Sequence, residues 1–511
     1  MNLLLIVLSL VIFSFMPVIF PKLYKPCIII SVFIVFSFYF FLQKNFFYKE
    51  SFWPSPTLNC SISCKCNYYN ILAESLKEKK LYISEYKEKI NYKTDYFIVL
   101  EKRINSNNKD YKISFSLLDT SYYKEKIYLY FGITPVLLFY LPFNLITGLY
   151  LTDKFLVLIL SLFVFLFSLL LIKELLGKIV DFNKIPKNIN ILSIFIIGLC
   201  NLMPFILTRT AIYEVAITTA VFLLLTSCIA LYFYLKQTNA FLCMILALLL
   251  SLCVGARPQY VFLIPIFFMA ICLNNYYNTK NIKYVIKQVS LFLIPCIIVG
   301  TLLALYNYFR FDSIFEFGFK YQINPYEFIK FKPKISTFIN DLIVATKQIL
   351  FKLPDMNVKT IFSLVESSGH SLGNEYVTGL IWTYPFIGIF LFIPNFLKNI
   401  YNKDKQIFIF ISVIICTILT NFIVTSLFGI IQRYIFEYLF LITILSIIMF
   451  LFYIYKTKDK ILKYFLNIIF VIIFFWSIFI NISLLFCRKN ILDILYNLNH
   501  AYFNKVVCFL F

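Results

Sequence analysis

Arginine is scarce in this sequence. Of 47 basic residues only six are arginine (Arg103, Arg209, Arg257, Arg310, Arg433 and Arg488), and the other 41 are lysine. Four of the six, Arg209, Arg257, Arg310 and Arg433, fall at the ends of long apolar runs, near the carboxylates Glu214, Glu316 and Glu437. Guanidinium is a planar, permanently charged fork that matches phosphate oxygens in a way the lysine ammonium does not. Ionisable groups at membrane depth are costly, which makes them functional candidates by default. Two uses of these arginines are open. They bind a phosphate, or they pair with Glu214, Glu316 and Glu437 and hold helices together.

Asp119 is the best catalytic candidate. It lies in LLDTSYYKEKIYLYFG, followed by Tyr122 and Tyr123, just before the apolar, proline-containing stretch ITPVLLFYLPFNLITG. A carboxylate there can activate an acceptor hydroxyl or hold a divalent cation. Asp312 lies in the same layer, and Glu214, Glu316, Glu437, Tyr122 and Tyr123 are supporting polar groups. No metal site is assigned, and a divalent cation remains an open cofactor. Cys60, Cys64 and Cys66 have a C-x3-C-x-C spacing that fits no standard zinc site, and His370 and His500 stand alone. No Walker loop or dinucleotide fingerprint occurs.

These residues must be positioned by membrane helices. Of 511 residues 61% are hydrophobic and 14% charged, against roughly 45–50% and about 25% in soluble domains. Runs such as 155–171, 212–235 and 461–485 carry almost no charge over the length a helix needs to cross hydrocarbon. They are apolar on every face, whereas barrel strands alternate. The expected fold is an all-α polytopic membrane protein with about 12 transmembrane helices and amphipathic outer-face helices in the first large loop. The spans expected are 2–20, 27–43, 153–174, 190–207, 212–235, 240–255, 258–273, 287–308, 378–397, 406–427, 432–454 and 463–486. The first 20 residues lack a basic start and a small-residue cleavage site, so they read as a span rather than a leader.

The lysines set orientation. Short loops carrying Lys22 and Lys25, Lys173 to Lys187, Lys236, Lys280 to Lys287, Lys398 to Lys405 and Lys456 to Lys463 alternate with loops nearly free of lysine. By the positive-inside rule the lysine loops are cytoplasmic. Two hydrophilic segments, 44–152 and 309–377, then face outward from a single membrane domain, 1–511. Residues 133–148 read as an interfacial or re-entrant helix, because Pro135 and Pro142 interrupt them. The net charge of +22 is spread over many loops and forms no stripe, so nucleic acid is not an expected partner.

The order YYNILAESLKEKKLYI, then DTSYYKEKIYLYFGITPVLLFYLPFNLITG, then a span, resembles the GT-C membrane glycosyltransferases, especially bacterial relatives of the protein mannosyltransferases and aminoarabinose transferases. The stretches TRTAIYEVAI, VGARPQYVFLIP, YNYFRFDSIFEFGFKYQ and QRYIFEYLFLI look like motifs of one branch of that group. The resemblance implies a polyprenyl-phosphate sugar donor and inverting transfer to a cell-envelope glycan, lipid or protein on the outer face of a bacterial cytoplasmic membrane. It would place the outer arginines on the donor phosphate and Asp119 on the acceptor. One departure stands out. Where such enzymes often open the first loop with an acidic pair, this chain has Cys64, Lys65, Cys66 and Asn67.

Two other classes fit parts of the chain. A surface-polysaccharide polymerase or ligase would build its site mainly from 309–377. A carrier or flippase of lipid-linked solutes would perform no chemistry, but the chain shows no internal repeat and only 12 glycines. A glycosyltransferase would instead set two amphipathic helices of 60–149 over the bundle beside the arginines.

Overall fold

The computed structural model of the chain describes residues 2–46, 53–56, 68–85, 120–181, 184–323, 335–353, 378–428 and 432–486. Asp119, the cysteines at 60, 64 and 66, both histidines, Arg103 and Arg488 lie outside the described residues.

The chain opens with α1 (Asn2–Ile19) and α2 (Tyr24–Phe46), continues through the short α3 (Tyr68–Lys77), and then forms three strands. These are β1 (Ser84–Glu85), β2 (Thr120–Tyr123) and β3 (Lys126–Leu129), an antiparallel sheet in the order β1-β3-β2. A π-helical turn (Val136–Tyr140) leads into α4 (Leu141–Thr147). The bundle follows as α5 (Asp153–Ile179), α6 (Lys187–Leu199), α7 (Met203–Leu207), α8 (Ile212–Lys236) and α9 (Ala240–Ala256). A 3-10 turn (Pro258–Leu263) enters α10 (Ile264–Thr279), which is followed by α11 (Ile282–Phe311) and α12 (Ile335–Phe351). The last part comprises α13 (Leu380–Thr383), a 3-10 stretch (Pro385–Phe392), α14 (Ile393–Lys403), α15 (Lys405–Phe428), α16 (Gln432–Lys456) and α17 (Lys460–Phe486).

Among the described residues, nine helical segments are long and apolar enough to cross a membrane, against the twelve expected. The expected span 378–397 is broken into α13, a 3-10 stretch and α14, with Pro385 and Pro394 each removing a backbone donor at a break. The expected span at 240–255 is the apolar α9, whose 17 residues lie at the lower end of the roughly 17–25 that a crossing takes. The segment 309–377, expected to be loop, contains α12, which packs on α15. Strands β1, β2 and β3 add a small sheet to the otherwise helical described residues.

Polar caps fix where helices start. Thr152 Oγ1 accepts from Phe155 N (3.3 Å) at α5, Asn239 Oδ1 from Phe241 N (2.8 Å) at α9, and Asn281 Oδ1 from Lys283 N (3.0 Å) at α11. Asp404 and Asp459 cap α15 and α17 in the same way. Helix α16 is buried on all sides and forms the axis of the bundle, while α11 is mostly exposed at its edge. An apolar helix exposed at the rim is what lipid contact requires, so the fold and composition define a multi-pass helical membrane protein.

The segments 44–152 and 309–377 are joined. The β2–β3 hairpin turns through Lys124 and Glu125, both at positive φ (47° and 60°), as a two-residue hairpin loop matching the twist of the strands requires. Ile323 N donates to Thr120 O (2.7 Å) and Ser121 Oγ to Gly318 O (2.9 Å), which tie the hairpin to the chain beyond α11. Farther along, Gly132 lies against the backbone at the end of α9: a Cβ there would meet the carbonyl oxygens of Gly255 and Ala256. Thr134 Oγ1 donates to Leu252 O (2.9 Å) beside it.

Candidate functional site

The described polar groups converge at the end of the bundle opposite the lysine-rich loops. Helix α8 starts there and α9 ends there, and α16 begins beside both. Arg257 is the residue that closes α9, Glu214 is in the first turn of α8, and Arg433 and Glu437 are in the first turns of α16.

Two arginine–carboxylate pairs result. Arg257 Nη2 lies 2.5 Å from Glu437 Oε1, and Gln259 Nε2 donates to the other oxygen of the same carboxylate. Arg433 Nη1 lies 3.4 Å from Glu214 Oε1, while Glu214 Oε2 accepts from Ala211 N (3.1 Å) and so caps its own helix. Both carboxylates are fully buried, but Arg257 and Arg433 keep 14% and 8% of their side chains exposed. Arg257 is thus the more accessible of the two cations, and Arg433 is buried. The rings around them are tyrosines: Tyr434 lies under Arg257 at 4.7 Å, and Tyr213 lies under Arg433 at 4.3 Å. Phe131, which follows β3, packs edge-on against Tyr213 at 4.6 Å.

Helix α3 and the helical stretch Val136–Thr147 cover this end. Tyr69 in α3 stacks on Tyr140 (5.2 Å) and donates from its hydroxyl to Ile212 O (3.1 Å) at the start of α8. Tyr140 in turn donates to Asp153 Oδ1 (2.5 Å), and Asn70 Nδ2 to Leu151 O (2.8 Å). Burial, with the Asp153 carboxylate next, holds the Tyr69 phenol well above its usual range, so it stays protonated and a donor. Asp153, Tyr69 and Gln259 belong to this end and were not singled out from the sequence. Asp153 follows a Thr at the start of a span, a pattern that reads as an ordinary helix cap.

The remaining expected residues are placed elsewhere. Arg310 is 4% exposed and both terminal nitrogens are engaged: Nη1 reaches Leu129 O (2.9 Å) and Nη2 reaches Asn307 Oδ1 (2.7 Å), with the Tyr306 ring 3.9 Å away. It fastens β3 to α11. Glu316 Oε1 accepts from Gly318 N (2.7 Å) and Lys320 N (3.3 Å) and shapes the turn after α11. Tyr123 donates to Asp312 Oδ2 (2.7 Å), which also pairs with Lys124 (2.5 Å). Tyr122 is buried in the hairpin. Arg209 lies half-buried in the turn between α7 and α8.

No three His, Cys, Asp or Glu side chains gather as a metal site needs, among the described residues. Glu214 and Glu437 each already face a guanidinium, so this pair of carboxylates does not fit a divalent cation. What the arrangement can do is gather two guanidiniums, Arg257 partly exposed and Arg433 buried, beside the Tyr434 ring as a centre of positive charge for an anion.

No known family model matches the chain, and no curated protein matches it. Solved structures to which it is similar include the Archaeoglobus fulgidus oligosaccharyltransferase in the apo form, with a TM-score of 0.40 and 12% identity over 86% of this chain and 59% of that one. The archaeal oligosaccharyltransferase AglB from the same organism, in complex with an inhibitory peptide and a dolichol-phosphate, gives 0.43 and 13% over 95% of this chain and 60% of that one. The chain spans about three-fifths of the length of these structures. Its function must be sought in its own residues.

Proposed function

We propose that the chain is a membrane glycosyltransferase that moves a sugar from a polyprenyl-phosphate donor to a glycan, lipid or protein acceptor of the cell envelope, on the outer face of a bacterial cytoplasmic membrane. The observation that carries this reading is the pair of arginines, Arg257 partly exposed and Arg433 buried, gathered at one end of an apolar bundle beneath α3. A lipid-linked phosphate reaches such a place laterally from the bilayer, with its chain in hydrocarbon and its phosphate at the helix ends.

The reaction is a displacement at the anomeric carbon. The acceptor hydroxyl or amide forms the new bond, the bond from that carbon to the phosphate oxygen breaks, and the phosphate leaves with the electron pair. Charge grows on the leaving phosphate, where Arg257 and Arg433 stabilise it more in the transition state than in the ground state. Arg209, in the adjoining turn, is a further phosphate ligand. Asp119, the residue before β2, takes the acceptor proton or orients the acceptor. Arg310 serves the fold in this reading, because its two terminal nitrogens are engaged by Leu129 and Asn307.

The test is transfer of label from a panel of radiolabelled polyprenyl-phosphate sugars to membrane material. Wild type transfers from at least one donor. Asp119→Asn loses transfer while abundance and insertion stay unchanged, and retained activity removes Asp119 from the mechanism. Arg257→Lys keeps the charge but loses the fork, and donor affinity is expected to fall by about 10-fold or more. Absence of transfer from every donor by a correctly inserted wild type overturns the reading.

A further inference from the structure

A second site lies at the opposite end of the bundle, where the lysine-rich loops gather. A cleft of about 660 Å³ opens between the end of α1, the start of α6 and the first turns of α17. That volume falls within the roughly 300–1,000 Å³ of ordinary ligand sites. Its walls are apolar and face outward from the bundle: Val18, Ile468 and Ile472 are 51%, 39% and 61% exposed. Its mouth is basic and polar, with Lys184, Lys187 and Asn467.

The charges around the mouth do not cancel. The carboxylate facing Lys184 is Asp181, at 3.9 Å, and both side chains are well exposed. Lys187 has no ion-pair partner among the described residues and sits 5.7 Å from the Tyr24 ring. A third lysine, Lys463, donates to Lys184 O (3.1 Å) and adds its charge to the rim. The Asn467 carbonyl oxygen is buried and makes no hydrogen bond among the described residues. An apolar furrow in the hydrocarbon, ending at uncompensated cations and an amide at headgroup depth, has the polarity profile of a lipid with an anionic head.

We infer that this cleft binds one anionic glycerophospholipid of the lysine-side leaflet, with an acyl chain along Val18, Ile468 and Ile472 and its phosphate between Lys184 and Lys187. The site is separate from the arginine pairs and stands independently of the glycosyltransferase reading.

Thermal unfolding of the detergent-solubilised full chain tests this during titration with phosphatidylglycerol, with phosphatidylcholine of the same chains, and with glycerol phosphate. Phosphatidylglycerol raises the midpoint saturably, and the other two leave it unchanged. The K184Q/K187Q variant weakens the apparent affinity by about 25- to 30-fold, roughly fivefold for each lysine. The K280Q/K283Q variant, altered in a different basic loop, binds as wild type. Ile472→Trp fills the furrow with the lysines intact and also loses the lipid, which carries the test if the double lysine variant does not fold. Equal response to phosphatidylcholine or to glycerol phosphate overturns the inference. So does wild-type affinity in K184Q/K187Q or in Ile472→Trp.

Discussion

Arg257 and Arg433 share one aromatic neighbour: their guanidinium carbons lie 4.7 and 5.8 Å from the centroid of the Tyr434 ring. The two cations come from different helices, and the π-cloud of the one ring attracts both. Tyr434→Leu removes both cation–π contacts and is expected to weaken donor binding by about three- to tenfold. Tyr434→Phe keeps the ring and should bind as wild type. Donor affinity measured on purified membranes separates the two variants.

The carboxylates Glu214 and Glu437 are buried and paired, so single removals cost more than paired ones. Glu437→Gln leaves Arg257 without its partner and should destabilise the folded protein by about 3–5 kcal/mol, whereas the R257Q/E437Q double variant loses less. The Arg433–Glu214 pair is longer, at 3.4 Å, and the same comparison there should show a smaller coupling. Unfolding of each set in detergent reads both couplings.

The hairpin contact at Asp312 should depend on pH at both extremes. Lys124, and after it the Tyr123 hydroxyl, hold the Asp312 carboxyl below its usual range, so its contribution is present at neutral pH and is lost as pH falls through that lowered value. The hydrogen bond to Asp312 pushes the Tyr123 phenol up to about 12. Its contribution is full below the free phenol's value of about 10 and disappears as pH rises through the higher one. Protection of the β2 and β3 amides, taken as exchange relative to the free-chain rate at each pH, should be greatest between about pH 5 and pH 9. Asp312→Asn should flatten the acid limb.

Gly132 has no room for a side chain, since a Cβ would press on the carbonyl oxygens of Gly255 and Ala256. Gly132→Ala should cost about 1–3 kcal/mol through forced separation of the two backbones. The loss should appear as faster proteolysis of the first outer segment, with the bundle itself resistant.

The arginine layer was legible because a charge inside an apolar run is rare and stands out without any structure. Its pairing was not legible: Glu214 and Arg433 are 219 positions apart, and periodicity carries no information on which helices become neighbours. Twelve apolar stretches were readable, but hydropathy does not register that Pro385 and Pro394 break one of them. The β2–β3 hairpin was hidden because its turn uses Lys124 and Glu125 where the usual signal is Asn-Gly. Arg310 looked like its three counterparts in sequence, and only the approach of Leu129 and Asn307 sets it apart.

The wide separation of Glu214 from Arg433 also has a consequence for biosynthesis. At about 5–20 residues per second, a ribosome needs roughly 10–45 s to add the intervening chain. For that interval α8 resides in the bilayer with a carboxylate that has no counter-ion of its own. A nascent chain halted before α16 therefore carries an exposed mark of incompleteness, which disappears when the penultimate described helix arrives. Truncated products ending before residue 432 should be cleared by membrane proteases much faster than the full chain.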